Sequence, residues 1–259
     1  MGTHLYNFVR SFKDKRITKV FLIDFLFFTI FLLAVLGFNS YMEGQSSQIG
    51  VSAEELQELM VNNPLEAKAI LSSLTGFFTL FIVGFLFIFI GGFIAYSYTR
   101  KLVWNRLSHN RTKLWRWTGI NITLLIVYIL FLPIFLIIRF LATTLLGFFG
   151  ITSIYSNNII TLASLLFLVI FTFLTYYNFS LCYQVFNSIG KTFSIIKRRW
   201  NRLWRAYLFI MLTTILLSLV TSFLKKQLLY QATLYSIITG ISTLLLFAWI
   251  RIYLVRIIK

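Results

Sequence analysis

The chain has 259 residues, a formal net charge of +17 and 59% hydrophobic residues, yet only 12% of its residues are charged. A typical soluble domain is roughly 25% charged, so polar surface is too scarce here to cover a water-soluble globule, and the composition indicates an integral membrane protein. A single cysteine (Cys182) excludes an intramolecular disulfide, two histidines (His4 and His109) are too few for a multi-histidine metal centre, and no acid follows Glu66, which excludes a paired-carboxylate, di-metal or proton-relay site from the last three-quarters of the chain.

Residues 1–19 read as a cytoplasmic basic amphipathic segment. Leu5, Phe8, Val9 and Phe12 share one face, and Arg10, Lys13, Lys15, Arg16 and Lys19 supply the charge. Residues 20–259 then read as a single transmembrane domain. A spanning helix needs about 20 mostly apolar residues. Six stretches qualify: 20–37, 69–96, 120–140, 159–185, 206–223 and 233–254. The fold class is therefore all-α, a polytopic transmembrane bundle of six spanning helices arranged as three hairpins, with short cytoplasmic interfacial amphipathic helices.

The first span lacks a small-x-small cleavage motif and reads as a retained helix rather than a signal peptide. It contains Asp24, the only acid predicted within the hydrocarbon. Asp24 lies about one turn inside the cytoplasmic end, within reach of Thr18, Lys19 and the basic loops. That position favours a structural ion pair or a protonated, snorkelling acid over a proton-coupling site. The following loop carries Glu43, Glu54, Glu55, Glu58 and Glu66. Its Ser52-Ala53-Glu54-Glu55 pattern is a capping box, and Asn63-Pro64-Leu65-Glu66 repeats the logic with Pro at the first helical position, so the second helix should start near Pro64. Gly76, Gly84 and Gly91 share one arc of that helix and mark a close-packing face.

The third span holds Pro133 and Arg139. The apolar run beyond Arg139 is long for one span, so residues 141–149 read as a separate short helix in the outer interface. Arg139 reads as snorkelling outward, with an anionic headgroup or a polar cavity as alternatives. After the fourth span, residues 188–205 place Ile189, Phe193, Ile196, Trp200 and Leu203 at spacings of four and three, with Lys191, Arg198, Arg202 and Arg205 on the opposite face. This predicts one amphipathic helix in the membrane interface, a candidate contact for anionic lipid headgroups or a protein partner, although an ordinary topogenic charge cluster has the same pattern. In the sixth span Ser236 and Gly240 form a small-xxx-small pair, a second packing face.

The charge distribution is one-sided. The N-terminal segment, the connections after the second and fourth spans and the C-terminal end hold 20 of the 24 basic residues. The positive-inside rule then puts both termini in the cytoplasm of a multi-pass cell-membrane protein. Trp104, Trp115, Trp117, Trp200, Trp204 and Trp249 all fall at this boundary and read as an aromatic belt, leaving Tyr41, Tyr155 and Tyr230 for the other side. Trp104-Asn105-Arg106-Leu107 recurs as Trp200-Asn201-Arg202-Leu203, and Leu114-Trp115-Arg116 as Leu203-Trp204-Arg205. These matches fit three repeated units, each a basic segment followed by a hairpin, or convergence at membrane boundaries.

A basic excess commonly signals nucleic acid, but here the cations border apolar runs, so the expected partner is the bilayer and its anionic lipids, not nucleic acid. No catalytic, cofactor-binding or metal residue and no cofactor is expected. The leading reading is a non-enzymatic scaffold, assembly or lipid-interacting protein. The alternative is a transporter or permease subunit docking a separate cytoplasmic partner; substrate sites of transporters use broken helices and intramembrane polar groups, which are sparse here. An enzyme acting on lipid would need a nucleophile or metal site, and neither is visible. The basic stretches 113–117 and 191–199, each leading into an apolar helix, resemble those of the uncharacterised six-helix prokaryotic membrane proteins built as three hairpins, such as the membrane domain accompanying some glycerophosphodiester phosphodiesterases. The resemblance implies membrane residence and no known activity.

Overall fold

A computed structural model describes residues 2–49, 53–110, 112–150, 153–228 and 231–258. Ser52 of the capping-box pattern, Arg111, Tyr230 and Lys259 lie outside these residues, as do the side chains of His4, Glu54 and Tyr155. The fold is all-α, with no strand among the described residues. The helices are α1 (Gly2–Phe12), α2 (Arg16–Ile49), α3 (Ala53–Asn62), α4 (Pro64–Ser108), α5 (Leu114–Phe148), α6 (Ser153–Cys182), α7 (Val185–Arg198), α8 (Trp200–Gln227) and α9 (Ala232–Ile258). Six of them, α2, α4, α5, α6, α8 and α9, are long and apolar enough to cross a membrane.

The helices outrun the apolar stretches that announce them. With 45 residues, α4 is about 68 Å long at ~1.5 Å per residue, more than twice a hydrocarbon core of about 30 Å. Its last turns, through Lys101, Leu102 and Arg106, have helix-forming side chains and no Gly or Pro to stop them. At its start Asn63 donates to Glu66 Oε2 at 2.9 Å, and the Glu66 amide donates back to Asn63 Oδ1 at 3.5 Å, so the predicted cap before Pro64 is present. The separate helix expected over 141–149 is absent. Instead α5 runs unbroken through Pro133 to Phe148, because neither Gly nor Pro occurs from Ile134 to Leu146 to stop it.

The chain forms two compact units, Met1–Phe25 with Ser97–Lys259, and Leu26–Tyr96. The second is an antiparallel seam between the later part of α2 and the earlier part of α4. Phe31 packs on Gly92, Phe38 on Gly84, and Phe27 on Tyr96 with ring centroids 5.9 Å apart. A Cβ at Gly84 or Gly92 would overlap the facing phenyl ring. The predicted packing arc is thus corrected: Gly84 belongs to it and Gly92 joins it, whereas Gly76 and Gly91 face open space. Each phenylalanine needs a glycine opposite, and sequence spacing alone could not show where the rings fall.

In the larger unit, α6 and α9 are central. Buried residues make up 39% of the apolar stretch of α6 and 56% of that of α9, against 6% each for α5 and α8. Against them pack α1, α5, α7 and α8. The core gathers where the basic segments meet. Trp104, Leu107, Trp117, Ile120, Tyr176, Phe179, Ala206 and residues 248–258 interlock there. The segment between α4 and α5 is stitched to the end of α6: Asn110 donates to the Ser180 carbonyl at 2.8 Å and Arg116 to that of Tyr183 at 2.8 Å. Tyr183 ends α6 at φ 57°, a left-handed conformation that bulky residues rarely adopt. Its ring lies under the Arg116 guanidinium at 4.4 Å and its hydroxyl takes the Lys113 amide, so three contacts hold the turn that launches α7.

Candidate functional site

Two features stand out in the larger unit: a buried ionic hub and an exposed basic surface. The hub is Asp24. Its carboxylate accepts a hydrogen bond from Arg100 of α4 on one oxygen and from Arg251 of α9 on the other. All three side chains are at most 4% exposed. The Arg251 guanidinium also lies 4.8 Å over the Phe173 ring. Sequence reading left Thr18, Lys19 and the basic loops open as partners of Asp24; the structure pairs it with Arg100 of the basic connection and Arg251 of the basic C-terminal end, 76 and 227 positions away. Desolvating a charge costs about several kcal/mol, enough to force pairing, so the buried Asp24 carboxylate sits between two arginines.

A second acid repeats the arrangement outside the spans. Asp14 accepts from Arg16 at 2.8 Å and from Arg256 of α9 at 2.6 Å. The Arg16 guanidinium, helped by Arg256 and opposed by partial burial, holds the Asp14 carboxyl well below the usual carboxylate range. It stays ionised throughout the physiological range. Asp14 and Asp24 are the only acids of this unit. Both tie the start of the chain to the last turns of α9. The same junction carries Trp249, whose indole donates to Ser11 at 2.7 Å and stacks on Phe12 at 4.9 Å. So α1, expected as an interfacial amphipathic segment, docks on α9 through Phe8 and Ser11, while Phe12, stacked on Trp249, stays as exposed as Leu5 and Val9.

Polar side chains line the helix contacts around the hub. Asn121 donates to Ser97 at 2.8 Å and accepts from the Tyr176 hydroxyl at 2.6 Å. Trp117 donates to Thr112 at 2.6 Å, and Thr112 to Asn105 at 2.6 Å. On α7 the buried face is Ser188 and Thr192, flanked by half-buried Val185, Ile189, Ile195 and Ile196. Thr192 accepts from Asn178 of α6 at 2.9 Å. Hydroxyls at these positions look solvent-facing in sequence, yet they lie inward, where Thr192 meets Asn178 and Thr175 of α6 and Ser188 donates to the Gln184 carbonyl one turn back. Thr192→Val should destabilise the protein by about 1–3 kcal/mol, since it strands the buried Asn178 amide, whereas Phe193→Ala on the exposed face should change little. Thermal unfolding in detergent, compared between the two variants, checks this.

The amphipathic segment 188–205 is two helices, not one. The chain leaves helical geometry at Arg199, with φ −112° and ψ 26°. Lys191 and Arg198 therefore lie on α7, while Arg202 and Arg205 lie in the first turns of α8. All four are exposed, as are Phe193, Trp200 and Trp204. Lys191 also donates to the Cys182 sulfur at 2.8 Å. The expected tryptophan belt is likewise divided. Trp104, Trp117 and Trp249 are at most 3% exposed and belong to the core, whereas Trp115, Trp200 and Trp204 are exposed. The paired Trp-Asn-Arg-Leu motifs fall at the end of α4 and the start of α8, with Trp104 buried and Trp200 not, so the two copies occupy unlike surroundings.

The remaining candidates are scattered. Arg139 is half-buried and donates through Nε to Asn157 of α6 at 3.0 Å. Ser236 donates to the Ala232 carbonyl of its own helix, and Gly240 faces open space, so this small-xxx-small pair packs on no neighbour among the described residues. No cluster of three or more His, Cys, Asp or Glu that could hold a metal ion occurs among the described residues. No family model, curated protein or solved structure matches the chain.

Proposed function

We propose that this chain is a non-enzymatic protein of the cell membrane, both termini cytoplasmic, acting as a scaffold, assembly or lipid-organising factor through a basic face that engages anionic lipids. The observation that carries the reading is the charge accounting of the larger unit. Its two acids are occupied by Arg16, Arg256, Arg100 and Arg251. That leaves Lys191, Lys197, Arg198, Arg202 and Arg205 exposed beside Trp200 and Trp204. Exposed cations interleaved with indoles suit a headgroup layer, where each cation near an anionic leaflet is worth about 1 kcal/mol.

Reporter fusions test the orientation, and both termini should read cytoplasmic; an outward terminus overturns it. The purified protein should retain anionic lipid over zwitterionic lipid, with the preference weakening as salt rises. Equal retention of both overturns the electrostatic reading.

One observation favours the transporter alternative. A groove of about 390 Å³ between α6, α8 and α9 is lined by Thr214, Ser218, Thr221, Tyr235, Thr239 and Thr243 opposite leucines of α6. Co-purification of a separate ATPase, or solute flux in proteoliposomes, would select that reading.

A further inference from the structure

Within the basic face, the elbow between α7 and α8 has a shape that a bare charge cluster lacks. The Arg199 amide donates to the Ile195 carbonyl at 2.8 Å, closing α7. The Arg199 carbonyl accepts the amides of Arg202 and Leu203 at 3.0 Å each, opening α8. The turn is that tight because one residue both ends a helix and starts the next. Six consecutive residues, Lys197 to Arg202, consequently wrap a concavity of about 430 Å³. Four of the six are cationic. Arg199 is held in place because its guanidinium donates to the Ile258 carbonyl at the end of α9. Lys197, Arg198 and Arg202 stay exposed around the opening. No acid follows Glu66 in the chain, and among the described residues none of these three takes part in an ion pair.

Trp200 lines the same concavity and begins an aromatic ladder. It stacks on Trp204 with centroids 6.0 Å apart, and Trp204 stacks on Tyr207 at 5.5 Å. Trp200 and Trp204 are 52% and 46% exposed. An indole half out of the protein is stable at the headgroup level of a bilayer, so the ladder sets the depth at which the elbow meets lipid. Four cations crowded around one hollow repel each other unless an anion sits among them. A singly charged headgroup offsets only one of them, whereas a headgroup with two or more phosphate charges offers several acceptor oxygens to the two arginine forks and the lysine.

We propose that the α7–α8 elbow is a binding site for a phospholipid whose headgroup carries at least two negative phosphate charges, with Lys197, Arg198 and Arg202 as its ligands and Trp200 against the glycerol region. This rests on the anionic-lipid reading above and narrows it to one site and one headgroup class.

The test uses the full chain in detergent micelles, where added lipid reaches the elbow. Mixed micelles containing cardiolipin, whose two phosphates carry two charges, and mixed micelles containing phosphatidylserine at matched net charge are the probes, with inorganic phosphate as a lipid-free arm and phosphatidylcholine as the zwitterionic control. Wild type should prefer the cardiolipin micelles. R198Q/R202Q should weaken that binding about tenfold or more, as should K197Q to a lesser degree. K225Q/K226Q, at the far end of α8, should leave it unchanged. Unchanged thermal melting of each variant shows that its fold is intact. The proposal falls if R198Q/R202Q binds like wild type, if the two anionic lipids bind equally, or if inorganic phosphate alone binds as tightly as the lipid. In the second of these outcomes the general anionic preference survives and only the headgroup site is lost. If wild type prefers neither anionic lipid over a zwitterionic one, the broader reading fails as well.

Discussion

Replacing Asp24 by Asn should destabilise the protein by about 3–5 kcal/mol, the range for removing one partner of a buried ionic cluster. Asn keeps the size of Asp and removes the charge. Arg100 and Arg251, both buried, would then share a low-dielectric interior with no carboxylate between them. The loss should exceed that of Arg251→Gln, because there Asp24 keeps Arg100. A third variant, with Asp24→Leu, Arg100→Met and Arg251→Met together, removes every charge and should recover much of the stability, since apolar replacement of a buried ionic cluster is often neutral or stabilising by about 1–4 kcal/mol. Thermal unfolding of the purified protein in detergent measures all three. Asp24→Asn melting at the wild-type temperature would show that Asp24 does not hold the two arginines in place. A large loss in the triple variant would show that the charges contribute beyond their own mutual compensation.

The tryptophans should divide into two classes under alanine substitution. Trp104→Ala and Trp117→Ala should each cost about 3–5 kcal/mol, the range for large aromatics deleted from a packed core. Trp115→Ala and Trp200→Ala should stay within about 0.5 kcal/mol, as surface changes do. Trp104 packs against Phe173 and Tyr176, and Trp117 meets Phe179 edge-on at 4.9 Å. Phenylalanine substitutions refine the contrast. The Trp104 indole nitrogen is buried with no hydrogen-bond partner among the described residues, whereas that of Trp117 donates to Thr112. Trp117→Phe therefore loses a hydrogen bond worth about 1 kcal/mol that Trp104→Phe does not. The same melting experiment reads these differences, and a uniform response across all tryptophans would mean that they form an interfacial belt after all.

Much of the architecture was legible in the residues. The start of α4 was readable because Asn-Pro-x-Glu is a local chemical device that works within four residues. The start of α8 was not readable, because nothing in Lys197–Arg202 except tertiary contact with α9 stops the amphipathic pattern from continuing. The inward face of α7 was missed for a related reason. Ser188 and Thr192 look like solvent-facing residues on a helical wheel, and only Asn178 and Thr175 of α6 make that face the buried one. Likewise Gly92 gave no signal of its own, since its role depends on Phe31 lying opposite.

Composition and charge by themselves determined the number of helices apolar enough to cross a membrane and the clustering of the cations in a few segments of the chain. These depend on sums over local residues, and a sum does not change with how the helices pack. The tertiary structure alone decided which cations and which indoles of those segments lie in the interior. A charge can be buried only where an opposite charge meets it, and here the two acids of the larger unit take arginines as many as 242 residues away. The excess of positive charge therefore has two parts: a buried fraction that locks the ends of the chain to the bundle, and an exposed fraction spread over several segments, part of which surrounds the α7–α8 elbow.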